Sequence, residues 1–315
     1  MEKFQEIKKL YYMSNIFQEM WDADIRENGI KAVFDKRNAD IEKGYILVEA
    51  KKISDEDERG HGTRESVNVL SLEPDIDFTM VKMSKFNMPS TFKKAVEQNL
   101  DIITCSLGLN IIGAELTASQ KQLEFEIASA VRKGIIVVAA SGNGKKALPG
   151  MHPDVISVGG VFVAKDGSIE ATPFTSGYES HIYPNRQVPD VCGLSGLLPL
   201  AAYIMLAVDP GEFYDRMFAG NQHPNGDKTS PIDGWAAFSG SSAAAPQIAG
   251  VCALLKQVNR NLTTFQIRDI LKQTARDVTR VHSSQNNAAH QDPNLATGFG
   301  LVNASKAVDR AKSML

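Results

Sequence analysis

The chain has few cysteines and no long apolar run, and these two shortages exclude several classes of protein. Its three cysteines are odd in number and widely spaced, so the sequence predicts neither a disulfide framework nor a cysteine-based zinc site. No apolar stretch reaches the roughly 18 residues that a membrane-spanning helix needs. The first 30 residues also lack the apolar segment and small-residue cleavage site of a secretion signal. We therefore expect a cytoplasmic protein with free thiols and no membrane partner.

The chain also lacks a strong excess of charge of either sign. Its formal net charge is −3 and its sequence pI is about 6.1, which gives no electrostatic basis for binding nucleic acid. Its 315 residues, of which 43% are hydrophobic, are enough to bury one large core or two smaller ones. Neither the composition nor the charge fixes an oligomeric state.

Strand-like and helix-like segments alternate along the first half of the chain. Strands are expected at residues 30–34, 45–49, 78–83 and 134–140, and residues 101–108 are expected to form a strand and then a turn. Helices are expected at residues 14–27, 63–72, 90–99 and 119–133. Repeated strand–helix–strand units with nearly continuous apolar strands predict a parallel sheet that is covered on both faces. The expected fold class is therefore α/β, with three layers and a mainly parallel central sheet.

Several polar residues fall where the strands end or where helices begin. Asp35, Ser106 and Asn143 each follow an expected strand, and His61 and Ser242 each precede an expected helix. Ligand sites of parallel sheets lie outside the carboxyl ends of the strands. These five residues are therefore candidates for one functional site.

Residues 238–250 form a serine-rich turn followed by an apolar run with helical spacing. Gly240 leaves room for close approach, and Ser241 and Ser242 are residue types that cap helices. Pro246 is tolerated in the first turn of a helix. A serine hydroxyl at the positive end of a helix dipole lies where an oxyanion can be stabilised. The other interpretation is an ordinary N-cap that leads into a small-residue helix packed on the sheet.

A series of short motifs resembles the subtilisin-like serine proteases, also called subtilases or peptidase family S8. The motifs occur in that family's order at residues 60–63 (GHGT), 106–108 (SLG), 139–143 (AASGN), 153–159 (PDVISVG), 189–191 (PDV), 239–246 (SGSSAAAP) and 297–303 (TGFGLVN). The match begins near residue 29. The resemblance therefore implies a helical extension at residues 1–28 and a peptidase domain at residues 29–315. With 34 residues before Asp35, it implies an intracellular type without a conventional pro-domain.

The resemblance implies a catalytic triad of Asp, His and Ser in that chain order. Ser242 is then the nucleophile, His61 the base that activates it, and Asp35 the carboxylate that orients the imidazole. The family usually follows this Asp with Ser or Thr and Gly, whereas this chain has lysine and arginine at residues 36–37. Three other carboxylates are rivals for this role, although only Asp35 directly ends an apolar strand: Asp40, Asp55 and Asp57.

The resemblance also implies an oxyanion hole and a substrate cleft. Asn143 matches the side chain that donates to the oxyanion together with the N–H of Ser242, although a Gly-Asn-Gly turn is the simpler interpretation. The substrate would add as an extended strand beside Ser106, Leu107 and Gly108. The resemblance makes that segment and a second one, Ala140, Ser141 and Gly142, the walls of the pocket for the side chain before the cut bond. Lys145 and Lys146 at its rim could favour an acidic side chain before the cut, or could simply be solvated.

The function implied is that of a serine endopeptidase which acts on peptides or proteins in the cytoplasm. No cofactor or metal is expected, because the asparagine-rich calcium loop of many relatives is not visible after the helix of His61. One alternative is a module of the same fold that binds peptides without cutting them. Another is acyl transfer by the same serine, such as peptide cyclisation.

The segment at about residues 197–235 is longer than the family minimum and looks like an insertion. Residues 197–208 are apolar and interrupted by a proline, so we expect buried strands there. Residues 209–234 are rich in Pro, Gly, Asp and Asn, which predicts a long loop. A loop of this length just before the nucleophile is expected to shape specificity or to contact a partner.

Overall fold

The computed structural model describes residues 61–81, 88–197, 204–220, 229–291 and 293–315. These residues fall into two compact units. The first comprises residues 61–80, 205–220 and 229–237, and the second comprises residues 81, 88–197, 204, 238–291 and 293–315. Asp35, its rival carboxylates and the elements expected before residue 50 lie outside the described residues. The division at residue 28 therefore stays a prediction.

The described elements follow one another in mixed order along the chain. The helices are α1 (His61–Leu70), α2 (Met88–Val96), α3 (Ala118–Arg132), α4 (Phe213–Phe218), α5 (Ser241–Val258), α6 (Thr264–Thr274) and α7 (Ala304–Lys312). The strands are β1 (Ile102–Cys105), β2 (Leu109–Asn110), β3 (Ile136–Ala140), β4 (Ala147–Leu148), β5 (Ile156–Val163), β6 (Ile169–Ala171), β7 (Tyr178–Glu179), β8 (Gln187–Val188), β9 (Val191–Leu194), β10 (Ile204–Ala207) and β11 (Trp235–Phe238).

The second unit is built on a five-stranded sheet. Strands β1, β3, β5 and β9 are parallel neighbours in that order, and β6 adds to β5 in the antiparallel sense. Parallel strands need long crossover connections, and here α3 supplies the connection from β1 to β3. The mainly parallel sheet expected from the sequence is therefore confirmed.

Helices cover both faces of this sheet. Val137 and Ala139 of β3 belong to the apolar core that also contains Phe92 of α2 and Leu123 of α3. Because successive side chains of a strand point to opposite faces, the equally buried Val138 faces the other side. Helix α5 packs against β1, β3, β5 and β9. The three-layer α/β class expected from the sequence is confirmed.

The ends of α3 follow from local sequence. Thr117 and Gln120 form a capping box in which each side chain hydrogen-bonds the backbone of the other residue. At the other end Gly134 has a φ of 82°, the left-handed conformation that terminates helices. The prediction of a helix over residues 119–133 is thus correct to within one residue at each end.

Two predicted elements of the chain are wrong. Residues 78–81 form no strand, although a strand was expected over residues 78–83, of which the last two lie outside the described residues. An apolar alternation becomes a strand only where a partner strand is available, and none of the described strands pairs with this segment. The loop expected over residues 209–234 is also interrupted, because helix α4 lies within it. Glu212 caps this helix by accepting hydrogen bonds from the N–H groups of Tyr214 and Asp215.

The first unit contains α1, α4 and most of strands β10 and β11, which pair with each other. Strand β10 confirms part of the buried strand expected over residues 197–208, of which residues 198–203 lie outside the described residues. The guanidinium of buried Arg64 lies 4.5 Å from the ring centroid of Tyr214, a cation–π contact that joins α1 to α4. Within the described stretches, the helices are too short or too polar to cross a membrane.

Candidate functional site

Ser242 lies in the first turn of α5, directly after the turn that follows β11. The N–H of Gly240 donates to the carbonyl of Ser195 at 2.8 Å, which fixes the chain where the helix begins. The helix starts at Ser241 with Gly240 as its N-cap and no capping side chain, so the expectation that a serine caps it is wrong. The N–H groups of a first helical turn have no partner within the helix. The N–H of Ser242 is one of these donors, and its side chain is half-buried.

Asn143 is held beside this turn by Ser241. The Asn143 side-chain oxygen Oδ1 accepts from the backbone N–H of Ser241 at 3.0 Å and from its hydroxyl at 2.9 Å. With Oδ1 engaged twice, the amide nitrogen Nδ2 is the end of the side chain that remains to donate. A Cβ added to Gly240 would lie 3.6 Å from this nitrogen, so Nδ2 stands next to the turn that carries Ser242. The Ser242 nitrogen is also 3.6 Å from that position, so the two N–H donors lie on either side of the same small space.

Ser106 and Ser242 are joined by two reciprocal hydrogen bonds. The Ser106 hydroxyl donates to the Ser242 carbonyl at 2.9 Å, and the Ser242 hydroxyl donates to the Ser106 carbonyl at 3.3 Å. Pro246 explains the first bond. It lies four residues after Ser242, in the second turn of the helix rather than in the expected first turn, and it has no N–H to offer that carbonyl. The Ser106 hydroxyl replaces the missing helical hydrogen bond.

The two segments expected to wall the cleft lie side by side in the same unit. Strand β2, which follows Gly108, pairs in the antiparallel sense with β4, which follows Gly142. A Cβ on Gly108 would lie 2.8 Å from the carbonyl oxygen of Leu148, so a side chain does not fit there. Leu107 is 45% exposed on this edge. Ala140 and Gly142 are half-buried, whereas the side chain of Ser141 is fully buried.

The loop that follows Asn143 carries two lysines in different surroundings. The Lys146 ammonium lies 5.1 Å from the ring centroid of Tyr178, and burial raises the pKa of that phenol to about 12. Lys145 is exposed, and its carbonyl accepts from the Ser176 hydroxyl at 2.8 Å. Lys145 is therefore the cation of this loop that is open to a ligand.

His61 lies in the first unit, where it is the first residue of α1 rather than the residue before the helix. Its Nε2 atom lies 3.6 Å from Oε1 of Glu65, one helical turn further along. Glu65 was not among the predicted site residues, although a spacing of four residues on a helix places two side chains on one face. The carboxylate assigned to His61 from the sequence, Asp35, lies outside the described residues.

The cysteines of the chain are free and poorly suited to act as nucleophiles. Burial raises the pKa of the Cys105 thiol to about 11 and that of Cys252 to about 12, and it raises that of Cys192 as well. The reactive form of a cysteine is the thiolate, so these thiols are protonated near neutral pH. Across the described residues, His, Cys, Asp and Glu form no group of three or more that could hold a metal ion.

Comparisons with known proteins agree with this architecture. Residues 21–300 match the Subtilase family. The chain is 28% identical over 270 residues to alkaline elastase YaB from a Bacillus species (strain YaB), which covers 80% of this chain and 56% of that protein. It is 27% identical over 273 residues to subtilisin Savinase from Lederbergia lenta, which covers 81% of this chain and 79% of that protein.

A solved structure of a lanthipeptide protease has a TM-score of 0.62 to this chain at 21% identity, and the match covers 84% of this chain and 80% of that chain. This likeness shows that the fold is subtilisin-like. The chain belongs to the subtilase family, as the order of its motifs predicted. It spans 56% of the length of alkaline elastase YaB.

Proposed function

We propose that the protein is a serine endopeptidase in which Ser242 attacks the carbonyl carbon of a peptide bond. His61 takes the proton of the Ser242 hydroxyl and later gives it to the leaving amine, and Asp35 orients the imidazole. The observation that carries the proposal is the double hydrogen bond from Ser241 to Asn143, because it fixes an N–H donor beside a serine at a helix N-terminus. That pairing of nucleophile and donor is what acyl transfer requires.

The reaction proceeds in two halves with the same residues. In the first, attack by the Ser242 oxygen gives a tetrahedral oxyanion, which accepts hydrogen bonds from Nδ2 of Asn143 and from the N–H of Ser242. Collapse of this intermediate breaks the C–N bond and leaves an acyl group on Ser242. In the second, His61 takes a proton from water, whose oxygen attacks the acyl carbon. The bond from that carbon to the Ser242 oxygen then breaks, His61 returns the proton to this oxygen, and the product acid leaves.

The substrate in this proposal is a peptide or protein of the cytoplasm, bound as an extended strand. Residues 106–108 carry an exposed edge beside Ser242, which supports strand addition there. Exposed Lys145 supports a preference for an acidic side chain before the cut bond.

Replacing Lys145 by glutamine is expected to reduce the preference for Asp or Glu before the cut bond. Comparing kcat/KM for matched Glu and Gln peptides measures this effect.

A serine-directed fluorophosphonate tests the assignment of the nucleophile. The expected result is one covalent adduct per chain, found on Ser242 by peptide mapping of the labelled protein. Ser241 is an internal control, because it is the adjacent residue of the same type and is buried. Absence of an adduct on folded protein, or an adduct on another serine, would contradict the assignment.

Asn143→Ala is expected to lower kcat by about 10²–10³-fold with little change in KM, the range known for the oxyanion asparagine of subtilisin itself. The donor acts on charge that exists only in the transition state, so substrate binding is spared. Ser241→Ala is the matched variant, because it removes one of the two bonds that hold Asn143. Its kcat is expected to fall by less than about tenfold. Equal losses in both variants, or a loss confined to KM, would argue against a donor role for Asn143.

A further inference from the structure

A cavity of about 300 Å³ lies in the second unit beside α6, and its lining does not include Ser242. Asp190, which directly precedes β9, lines it together with Arg268 and Lys272 of α6. The remaining described lining is neutral apart from Arg186, and consists of Pro153, Pro184, Asn185, Gln187, Pro189, Pro293, Asn294, Gly298 and Phe299. Neither the motifs nor the proposed chemistry gives this cavity a role.

Three cations converge on the single carboxylate of this cavity. Arg186 donates to both oxygens of Asp190 at 2.9 and 2.8 Å. Arg268 donates from two nitrogens to Oδ1 at 3.1 and 2.6 Å, and the Lys272 ammonium lies 3.0 Å from the same oxygen. Asp190 is the only acid among the described residues that line the cavity. The group of Asp190 and these three cations therefore carries a net charge of about +2.

Hydrogen-bond donors also outnumber acceptor positions at Asp190. Four nitrogens lie within hydrogen-bonding distance of Oδ1, and Oδ2 accepts from Arg186 and from the backbone N–H of Ser157. A carboxylate offers about four lone-pair positions in all. The six donors around Asp190 exceed what this carboxylate can accept, so a second acceptor with negative charge would satisfy those in surplus.

The three cations differ in how accessible they are. Arg186 is 5% exposed and also donates to the carbonyls of Met151, Gly150 and Val155, so it is a fixed part of the interior. Arg268 and Lys272 are 16% and 22% exposed and lie one turn apart on α6. The Lys272 ammonium, which is 5.1 Å from the ring centroid of Phe299, has three N–H donors in total. Arg268 also donates from Nη1 to the Pro153 carbonyl at 2.6 Å, so most of the surplus donors that solvent can reach are on Lys272.

We propose that this cavity binds a small phosphate anion through Lys272 and Arg268. A guanidinium and an ammonium on one face of a helix match the oxygens of a phosphate, and partial burial strengthens the attraction. The volume leaves room for more than the phosphate group itself, so a small phosphate ester also fits. Because the cavity exists only in the folded chain, a bound anion stabilises that state against unfolding.

Isothermal titration of the full chain with sodium phosphate at pH 7.5 tests the proposal, with chloride used to hold the ionic strength constant. The expected result is saturable binding of one phosphate. In thermal unfolding of the same protein, phosphate is expected to raise the midpoint temperature, and chloride at equal ionic strength is not. Glycerol phosphate, titrated in a second arm, shows whether the site prefers an ester to the free anion. Binding is read directly, so the result is independent of whether Ser242 cuts peptides.

Lys272→Gln is expected to weaken phosphate binding at least tenfold, while Lys121→Gln, on the exposed face of α3, leaves it unchanged. Lys272→Arg keeps the positive charge and is expected to bind phosphate with an affinity within threefold of wild type. This variant still tests the role of the charge if Lys272→Gln does not fold. The proposal is overturned if phosphate does not bind, if chloride raises the midpoint equally, or if folded Lys272→Gln binds as tightly as wild type.

Discussion

Ser242→Ala is expected to reduce kcat by about 10⁶-fold, the size of loss that removal of the nucleophile causes in subtilisin itself. Alanine deletes the oxygen that forms the acyl intermediate, and no described cysteine is ionised enough to replace it. The fold should tolerate the change, because the hydrogen bond that the Ser106 hydroxyl donates to the backbone carbonyl of residue 242 is kept. Residual activity reflects the oxyanion donors and substrate binding alone.

Steady-state hydrolysis of a fluorogenic peptide measures this loss, with active-site titration to correct for contaminating protease. Ser241→Ala is the matched control, because it changes the adjacent serine while keeping the nucleophile. Its kcat should stay within about tenfold of wild type. If Ser242→Ala kept more than about one part in a hundred of the activity, a different residue would have to be the nucleophile.

Asp190→Asn is expected to lower the free energy of unfolding by about 3–5 kcal/mol. Asparagine keeps the shape of the side chain but removes the negative charge, so Arg186, Arg268 and Lys272 are left as like charges in a largely buried cluster. Asp166→Asn is the control, since that carboxylate pairs with Arg280 at the surface and should contribute little. Urea unfolding at pH 7 compares the variants. Similar losses in the two variants would mean that the buried cluster does not stabilise the fold.

The same cluster predicts how stability depends on pH. Burial alone would raise the pKa of Asp190, but attraction and hydrogen bonding from Arg186, with Arg268 and Lys272, outweigh burial and hold that pKa well below its usual range. A carboxyl with a lowered pKa in the folded state stabilises the protein above its unfolded pKa of about 3.9. That contribution is lost as the pH falls below about 4. The difference in free energy of unfolding between wild type and Asp190→Asn should therefore decrease below pH 4. A difference that stays constant would contradict the lowered pKa of Asp190.

The sequence allowed the sheet and the helices on either side of it to be predicted because those features depend on local pattern. Strand β3 is a run of apolar residues that ends at Ala140, and a run of this kind is typical of a parallel strand buried on both faces. Helix α3 is bounded by a capping threonine and a glycine, which are signals within the segment itself. The order of the short motifs was enough to predict the family.

The contacts around Ser242 could not be predicted in the same way, because they join residues distant in sequence. Asn143 and Ser241 are 98 positions apart, and Ser106 and Ser242 are 136 positions apart. The sequence identified Asn143, Ser106 and Ser242 as site candidates and Ser241 only as a capping residue type, so it did not show that Ser241 holds Asn143. It placed Pro246 in the first turn, whereas the helix begins early enough to put it in the second.

The ion cluster at Asp190 escaped prediction for a related reason. The motif at residues 189–191 was noticed as a family feature, but its three cations come from a loop and from α6, up to 82 positions away. Side chains that meet across such distances leave no periodic signal. The prediction of a strand at residues 78–83 was wrong for the opposite reason. The segment has the local apolar pattern of a strand, but none of the described strands pairs with it.

Hydrolysis of peptide bonds by Ser242 is tested most directly by incubating wild type and Ser242→Ala with a diverse peptide pool in ¹⁸O-labelled water. We predict that wild type alone produces fragments and that each new carboxyl group carries the heavy oxygen, as hydrolysis through an acyl intermediate requires. Mass spectrometry reads both features and identifies the residue before each cut. Products without the label would indicate cyclisation or transfer to an amine, and fragments of equal yield from both proteins would contradict the assignment of Ser242.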